Sequence, residues 1–374
     1  MMVKIAHMAD LHLDSPLVQL KDIKMSAQRR AEMVETFFSA IDRCVREKVD
    51  IVLLAGDIFE NITPSADICQ KVIAKMEQEK NLLFFISPGN HDYIHPASPY
   101  CQMGWPENVT IFKTNEMEKV SLGGKNVYIW GAAFTAPILE KSVLSGFRVE
   151  DPEAMNIGVL HGELVAGQSP YGPVSMHDIE KSGLDYLALG HIHSFTGMQK
   201  AGKCSYCYPG CMEPRGFDEL GEKGFIIAQL DKEEENRFYF CPINRRKYVE
   251  MAVDINGLSK VQDICAKIKE VTGESGEHLF KICLVGDVEA ANTVDPAQIA
   301  RQLEAEYYYI KVINETNTAH EYYEIAKERT LTGIFTADLL KKIEESVDPL
   351  EKETWEIALR MGYQALTGRE VEML

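Results

Sequence analysis

The chain lacks any apolar run long enough to cross a bilayer. Its longest, IVLLAG at 51–56 and LLFFIS at 82–87, have six residues each, against the roughly 20 that a membrane helix needs. The opening MMVKIAHMAD has no secretory pattern and moves straight into strand-like alternation. Cysteine is too sparse and irregular for a disulfide framework: nine in 374 residues, an odd number, fit a reduced cytoplasmic protein. Positive charge is also short, with 39 Lys+Arg against 57 Asp+Glu and a net charge of −18. That argues against a broad electrostatic grip on nucleic acid, although divalent cations bound in a cleft would reverse the sign locally. The 45% hydrophobic content over this length predicts two or three domains.

What is present is a series of apolar runs, each closed by polar residues of one kind. VKIAHMADLHLDS ends in Asp10 and His12, and VDIVLLAGDIFE in Gly56 and Asp57. NLLFFISPGNHD ends in Asn90, His91 and Asp92, NIGVLHGE in His161, and YLALGHIHS in His191 and His193. Between the first three lie segments of helical spacing, 27–48 and 64–80. Strands alternating with amphipathic helices define an α/β layered domain, whose loops at the carboxyl ends of strands converge on ligands. In a strand, residues two apart share a side, so His191 and His193 lean the same way.

Each piece alone reads as a turn or a satisfied surface histidine, because Gly takes positive φ and Asp bonds its own backbone. Five successive strand ends carrying oxygen and imidazole donors are not explained by independent turns. Asp10, His12, Asp57, Asn90, His161, His191 and His193 contain no thiolate and suit two borderline ions: Mn²⁺, Fe²⁺ or Zn²⁺. Two such ions about 3.5–4 Å apart can hold a hydroxide and clamp a phosphoryl oxygen. His91, beside the metals but not bound to them, is placed to protonate a leaving oxygen.

The ordered set ADLHLDS, AGDIF, PGNHD, VLHGE and LGHIH resembles the calcineurin-like metallophosphoesterase superfamily over about residues 1–240. The block YPGCMEPRGFDELGEKGF at 208–225 resembles its DNA repair exonuclease branch, of SbcD/YhaO type. The resemblance implies a four-layer αββα sandwich with a small α/β cap domain and a helical C-terminal tail. It assigns Asp10, His12 and His193 to a first metal, Asp57 to a bridge, and Asn90, His161 and His191 to a second. His91 becomes the catalytic acid, oriented by Asp92. It further implies a Mn²⁺-dependent DNA exonuclease, an SbcC-like coiled-coil ATPase bound by the C-terminal helices, and a homodimer as a further assembly. One departure is visible: Glu60 stands where the branch often has a substrate-positioning histidine, and a carboxylate there would repel phosphate.

Other residues carry less. Cys204, Cys207 and Cys211 read as a strand and turn rather than a zinc site, which wants four ligands. His95 is a candidate substrate contact, and His7 reads as core. His177, His278 and His320 carry no pattern. Beyond 240, the cluster Arg245, Arg246 and Lys247 reads as a solvated junction. Residues 245–320 read as the α/β cap and 321–374 as helical, with Thr336 as one N-cap, Pro349 opening the last helix and Gly368 ending it. In that helix Trp355, Leu359, Tyr363 and Leu366 form a stripe suited to a partner helix. Two rival functions remain open: a phosphodiesterase for small or cyclic nucleotides, and an inactive scaffold regulating an ATPase.

Overall fold

The computed structural model describes residues 2–20, 22–123, 126–273, 276–288 and 294–367. Gly368 and the side chain of His320 lie outside the described residues. The chain forms two compact units, Met1–Tyr248 and Val249–Leu374.

In the first unit, three parallel strands, Val3–Met8, Ile51–Leu54 and Leu83–Ile86, lie side by side in a six-stranded sheet. The second six-stranded sheet contains Val127–Gly131, Met155–His161 and Tyr186–Gly190, also parallel neighbours. Alternation divides each strand between two faces. Val3, Ile5, Leu53 and Phe85 of one sheet share a buried core with Ile129, Ile157, Val159 and Ala188 of the other, so the sheets pack face to face. Ala6, Met8, Val52, Leu54 and Ile86, pointing the opposite way, are equally buried. The helices Ile23–Arg46 and Ala66–Gln78 bury apolar faces of their own, Met33, Phe37 and Ile41 in the first and Val72 and Met76 in the second. On the outer side of the second sheet, Leu160, Leu187 and Leu189 pack with Ile179 of the helix Met176–Ser182. The result is helix, sheet, sheet, helix in four layers.

The helix Ile23–Arg46 begins four residues before the expected segment, because Asp22 accepts a hydrogen bond from the Met25 N–H and caps it. Its inner face carries a buried Arg29, whose guanidinium donates to Glu32 and to Glu213, each at 2.8 Å. Arg246 donates to the same Glu32 at 2.7–3.1 Å. Arg245 pairs with Glu35 and Lys247 with Glu222. Arg246 is thus buried against a carboxylate, whereas Arg245 and Lys247 remain at the surface in exposed pairs. Two arginines hold the Glu32 carboxyl down to about 2, against the upward push of its burial.

The second unit has a three-stranded sheet, Tyr248–Asp254, Leu279–Val285 and Tyr309–Asn314. Its core is closed by Ile264 and Ile268 of the helix Val261–Thr272 and by Ile299 and Leu303 of Pro296–Leu303. Two longer helices follow, Leu331–Glu345 and Pro349–Leu366. Thr330, not Thr336, caps the first by accepting from the Gly333 N–H at 3.0 Å; Thr336 is buried within it. Pro349 does open the second, after Asp348. The stripe on this helix is internal: Leu359 packs on Leu339 and Leu340 with Trp355 alongside, and the Tyr363 ring lies edge-on to Tyr322 at 5.3 Å. Only Leu366 of the four is exposed.

Candidate metal centre

Because the strands Val3–Met8, Ile51–Leu54 and Leu83–Ile86 are parallel neighbours, the loops carrying Asp10/His12, Asp57 and Asn90/His91 leave one edge together. In the facing sheet His161 pairs in register with Gly190, so His161, His191 and His193 leave the corresponding edge. The loops interlock closely. Asp10 N–H donates to the Gly56 carbonyl at 3.1 Å, His12 N–H to that of Asp57 at 2.9 Å, and His191 N–H to the Asp10 carboxylate at 3.0 Å. Two glycines allow this approach: a Cβ on Gly56 would lie 2.4 Å from the His161 ring, and one on Gly89 would lie 2.2 Å from Asp57 Oδ1. Asp10, His12, Asp57 and His191 all have positive φ, between 44° and 119°. L side chains adopt this conformation uncommonly, and it concentrates where a site imposes it.

Among the described residues, three groups have donor atoms within 4.8 Å of one another: Asp10, His12 and His193; Asp10, Asp57 and His161; and His12, Glu60 and His91. Asn90 Oδ1 stands 2.9 Å from His161 Nε2, and Asp57 Oδ2 is 3.4 Å from the same nitrogen. The His191 ring lies 5.3 Å from that of His161 and 5.0 Å from Tyr171.

Proton placement shows what this cluster accepts. His12 Nδ1 lies 2.9 Å from Glu60 Oε2, and His193 Nδ1 lies 2.7 Å from Glu219 Oε1. An ionised carboxylate only accepts, so both Nδ1 atoms carry the proton. The two Nε2 atoms, 3.2 Å apart, are left as the ring atoms that can turn lone pairs to a cation. His161 repeats the pattern, giving Nδ1–H to the Ala55 carbonyl at 3.0 Å and leaving Nε2 toward Asn90 and Asp57. A cation among these nitrogens would be met by their lone pairs, with each ring already fixed by its outer partner. The Asp and His residues therefore fit a dimetal site.

Burial presses the His12 imidazole well below its ordinary range and that of His191 to about 4, keeping both neutral as ligands must be. For His193 burial acts the same way, but the bonds and charges of Glu219 and Asp10 outweigh it and raise the pKa. Burial lifts Asp10 to about 6, with His161 and His193 pulling back. Asp57 feels the same upward push, yet His161, His12 and His91 together bring it below the usual carboxylate value.

Three expected roles change. Asp92 does not touch the His91 ring: its oxygens accept from the N–H groups of Ile58, Phe59 and Gly89 and from the Tyr100 hydroxyl at 2.6 Å. It ties two ligand loops together, and His91 Nδ1 instead meets the Glu60 carbonyl at 3.0 Å. Glu60 is not aimed at a substrate phosphate, because His12 and Arg215 take its carboxylate at 2.9 and 3.0 Å. His95 braces its own turn, accepting from the Ala97 N–H at 3.1 Å. His91, with 40% of its side chain exposed, stands at the mouth of the cluster.

Arg215 and Glu219 carry no role in the sequence reading. Their only signal is an Arg–Glu pair four residues apart inside EPRGFDE, which says nothing of the distant histidine they reach. His7 is core, bonded to Tyr186 and to the Leu189 carbonyl and pressed to about 3 by burial. Cys204–Cys207 is a strand, and Cys204, Cys207 and Cys211 are free thiols.

Residues 3–195 match the calcineurin-like phosphoesterase family, and the chain belongs to it. Among individual relatives, it is 35% identical over 234 residues to the "Uncharacterized metallophosphoesterase YhaO" of Bacillus subtilis, covering 60% of this chain and 56% of that one. It is 23% identical over 322 residues to the "DNA double-strand break repair protein Mre11" of Methanopyrus kandleri (75% and 68% covered). The protein of that name from Methanocaldococcus jannaschii is 26% identical over 274 residues (71% and 68%). The chain thus spans little more than half the length of YhaO.

Proposed function

We propose that this phosphoesterase is a Mn²⁺-dependent DNA exonuclease subunit working in DNA repair in the cytoplasm. The observation that carries the reading is the convergence of the loop ligands around paired imidazole lone pairs, with His91 exposed beside them. The repair-protein names of two relatives support DNA as substrate.

Asp10, His12 and His193 would hold one ion and Asn90, His161 and His191 a second, with Asp57 between them. Bound divalent ions supply Lewis-acid stabilisation of phosphoryl oxygens and activation of water. The chain itself fixes the ligand rings through Glu60, Glu219 and the Ala55 carbonyl. The Glu60 carbonyl sets His91 Nδ1 as a donor, which leaves Nε2 as the atom that exchanges a proton with the leaving oxygen. An SbcC-like ATPase binding the C-terminal helices would meet exposed Leu331, Ile334 and Leu350 rather than the buried stripe.

The test is incubation of the purified chain with Mn²⁺ and end-labelled single- and double-stranded DNA, alongside a small chromogenic diester. Progressive DNA shortening, abolished by chelation and by Asp57→Ala, is expected. Cleavage of the small diester with DNA left intact would favour the small-nucleotide phosphodiesterase. Undiminished cleavage by Asp57→Ala would remove the dimetal assignment.

A further inference from the structure

We propose that Arg215 is the positioning residue of the first metal site, a single guanidinium that sets the ring orientation of both of its histidines; the proposal rests on the dimetal reading above. Arg215 Nη1 donates to Glu60 Oε2 at 3.0 Å, and Nη2 donates to Glu219 Oε1 at 2.9 Å. Those same two oxygens receive the Nδ1 protons of His12 and His193. One planar fork therefore spans two carboxylates, each of which aims an Nε2 at the same point. Nη2 also lies 3.0 Å from His193 Nδ1, which follows from both atoms sharing one carboxylate oxygen.

The fork is itself held. Arg215 N–H donates to Glu219 Oε2 at 2.7 Å, and Tyr248 hydroxyl donates to the Arg215 carbonyl at 3.1 Å. Two residues upstream, Glu213 is locked by Arg29 at 2.8 Å and by the Thr36 hydroxyl at 2.7 Å, with Arg29 also reaching the Pro214 carbonyl. With 19% of its side chain exposed, Arg215 is shielded enough for its bonds to fix geometry rather than exchange with water. Its charge opposes a cation at the site, so attraction does not account for its place there. What it supplies is orientation: without it, two partly buried carboxylates would repel and turn away, releasing both imidazoles.

Lysine keeps the charge but is a point donor that cannot bridge two carboxylates as the guanidinium does. Metal-free full-length chains are titrated with Mn²⁺, with free ion followed by its paramagnetic resonance signal. Circular dichroism of the metal-free chains checks the fold. Wild type should take up two ions. Arg215→Gln should weaken one of them about 10–100-fold, the range for loss of an outer partner of a metal ligand, and leave the other unchanged. Arg215→Lys should stay close to Arg215→Gln, and Glu60→Ala, which removes the acceptor of His12 Nδ1 but leaves that of His193, should weaken the same ion less. Two ions bound by Arg215→Gln as tightly as by wild type would overturn the proposal alone, as would full rescue by Arg215→Lys. Fewer than two ions in wild type would overturn the dimetal reading itself.

Discussion

A histidine becomes a ligand only when something decides which nitrogen keeps the proton. Here Glu60, Glu219 and the Ala55 carbonyl make that decision for His12, His193 and His161. Glu60→His, which from sequence alone would be expected to ease phosphate approach, should therefore do the reverse. It removes the acceptor that orients His12 and one arm of the Arg215 fork, so Mn²⁺ uptake should fall about 10-fold or more, measured by titration of the metal-free variant. His91 Nδ1 meets the Glu60 carbonyl at 3.0 Å and lies 3.9 Å from the Glu60 carboxylate. His91→Ala should keep both ions by elemental analysis while turnover falls about 10²-fold or more; loss of an ion would make His91 a ligand. The clustering of the candidate ligands was legible because strand ends with Asp and His two apart encode their own convergence. The partners that orient them were not, since Arg215 meets Glu60 across 155 positions of sequence.

The helix Ile23–Arg46 reads from its pattern as an ordinary amphipathic element, yet its buried face carries ions. Glu32 is depressed from its ordinary 4.5 to about 2, so its stabilising contribution is complete above about pH 4.5 and is lost as pH falls through about 2. The melting temperature of chelator-treated wild type should therefore exceed that of Glu32→Gln at pH 7, with the gap closing toward pH 2. A constant gap would mean that the carboxylate's charge is not what holds Arg29 and Arg246. The C-terminal pair teaches the opposite lesson. An apolar stripe at helical spacing is visible in sequence, but spacing cannot say what covers it, and here Leu339 and Leu340 do. Leu359→Ala should destabilise this pair by about 2–5 kcal/mol, seen as an earlier unfolding transition with the first unit's metal content unchanged. A variant as stable as wild type would return the stripe to a surface role.

Every donor of the metal centre belongs to Met1–Tyr248. Removal of 330–374 should accordingly leave Mn²⁺ content and hydrolysis of a small diester intact; loss of either would show that the helices support the centre. The donors are not shared evenly within that unit. Asp10, His12, Asp57 and Asn90 come from the loops of one sheet, His161 and His193 from those of the other, and two of the three groups mix them. An ion held by Asp10, His12 and His193, or by Asp10, Asp57 and His161, would act as a rivet through both sheets. A ligand that binds only the folded chain raises its stability by about 2.7 kcal/mol at 100 times its dissociation constant. The melting temperature should thus climb with the logarithm of free Mn²⁺, turning thermal denaturation into a gauge of how many rivets are in place.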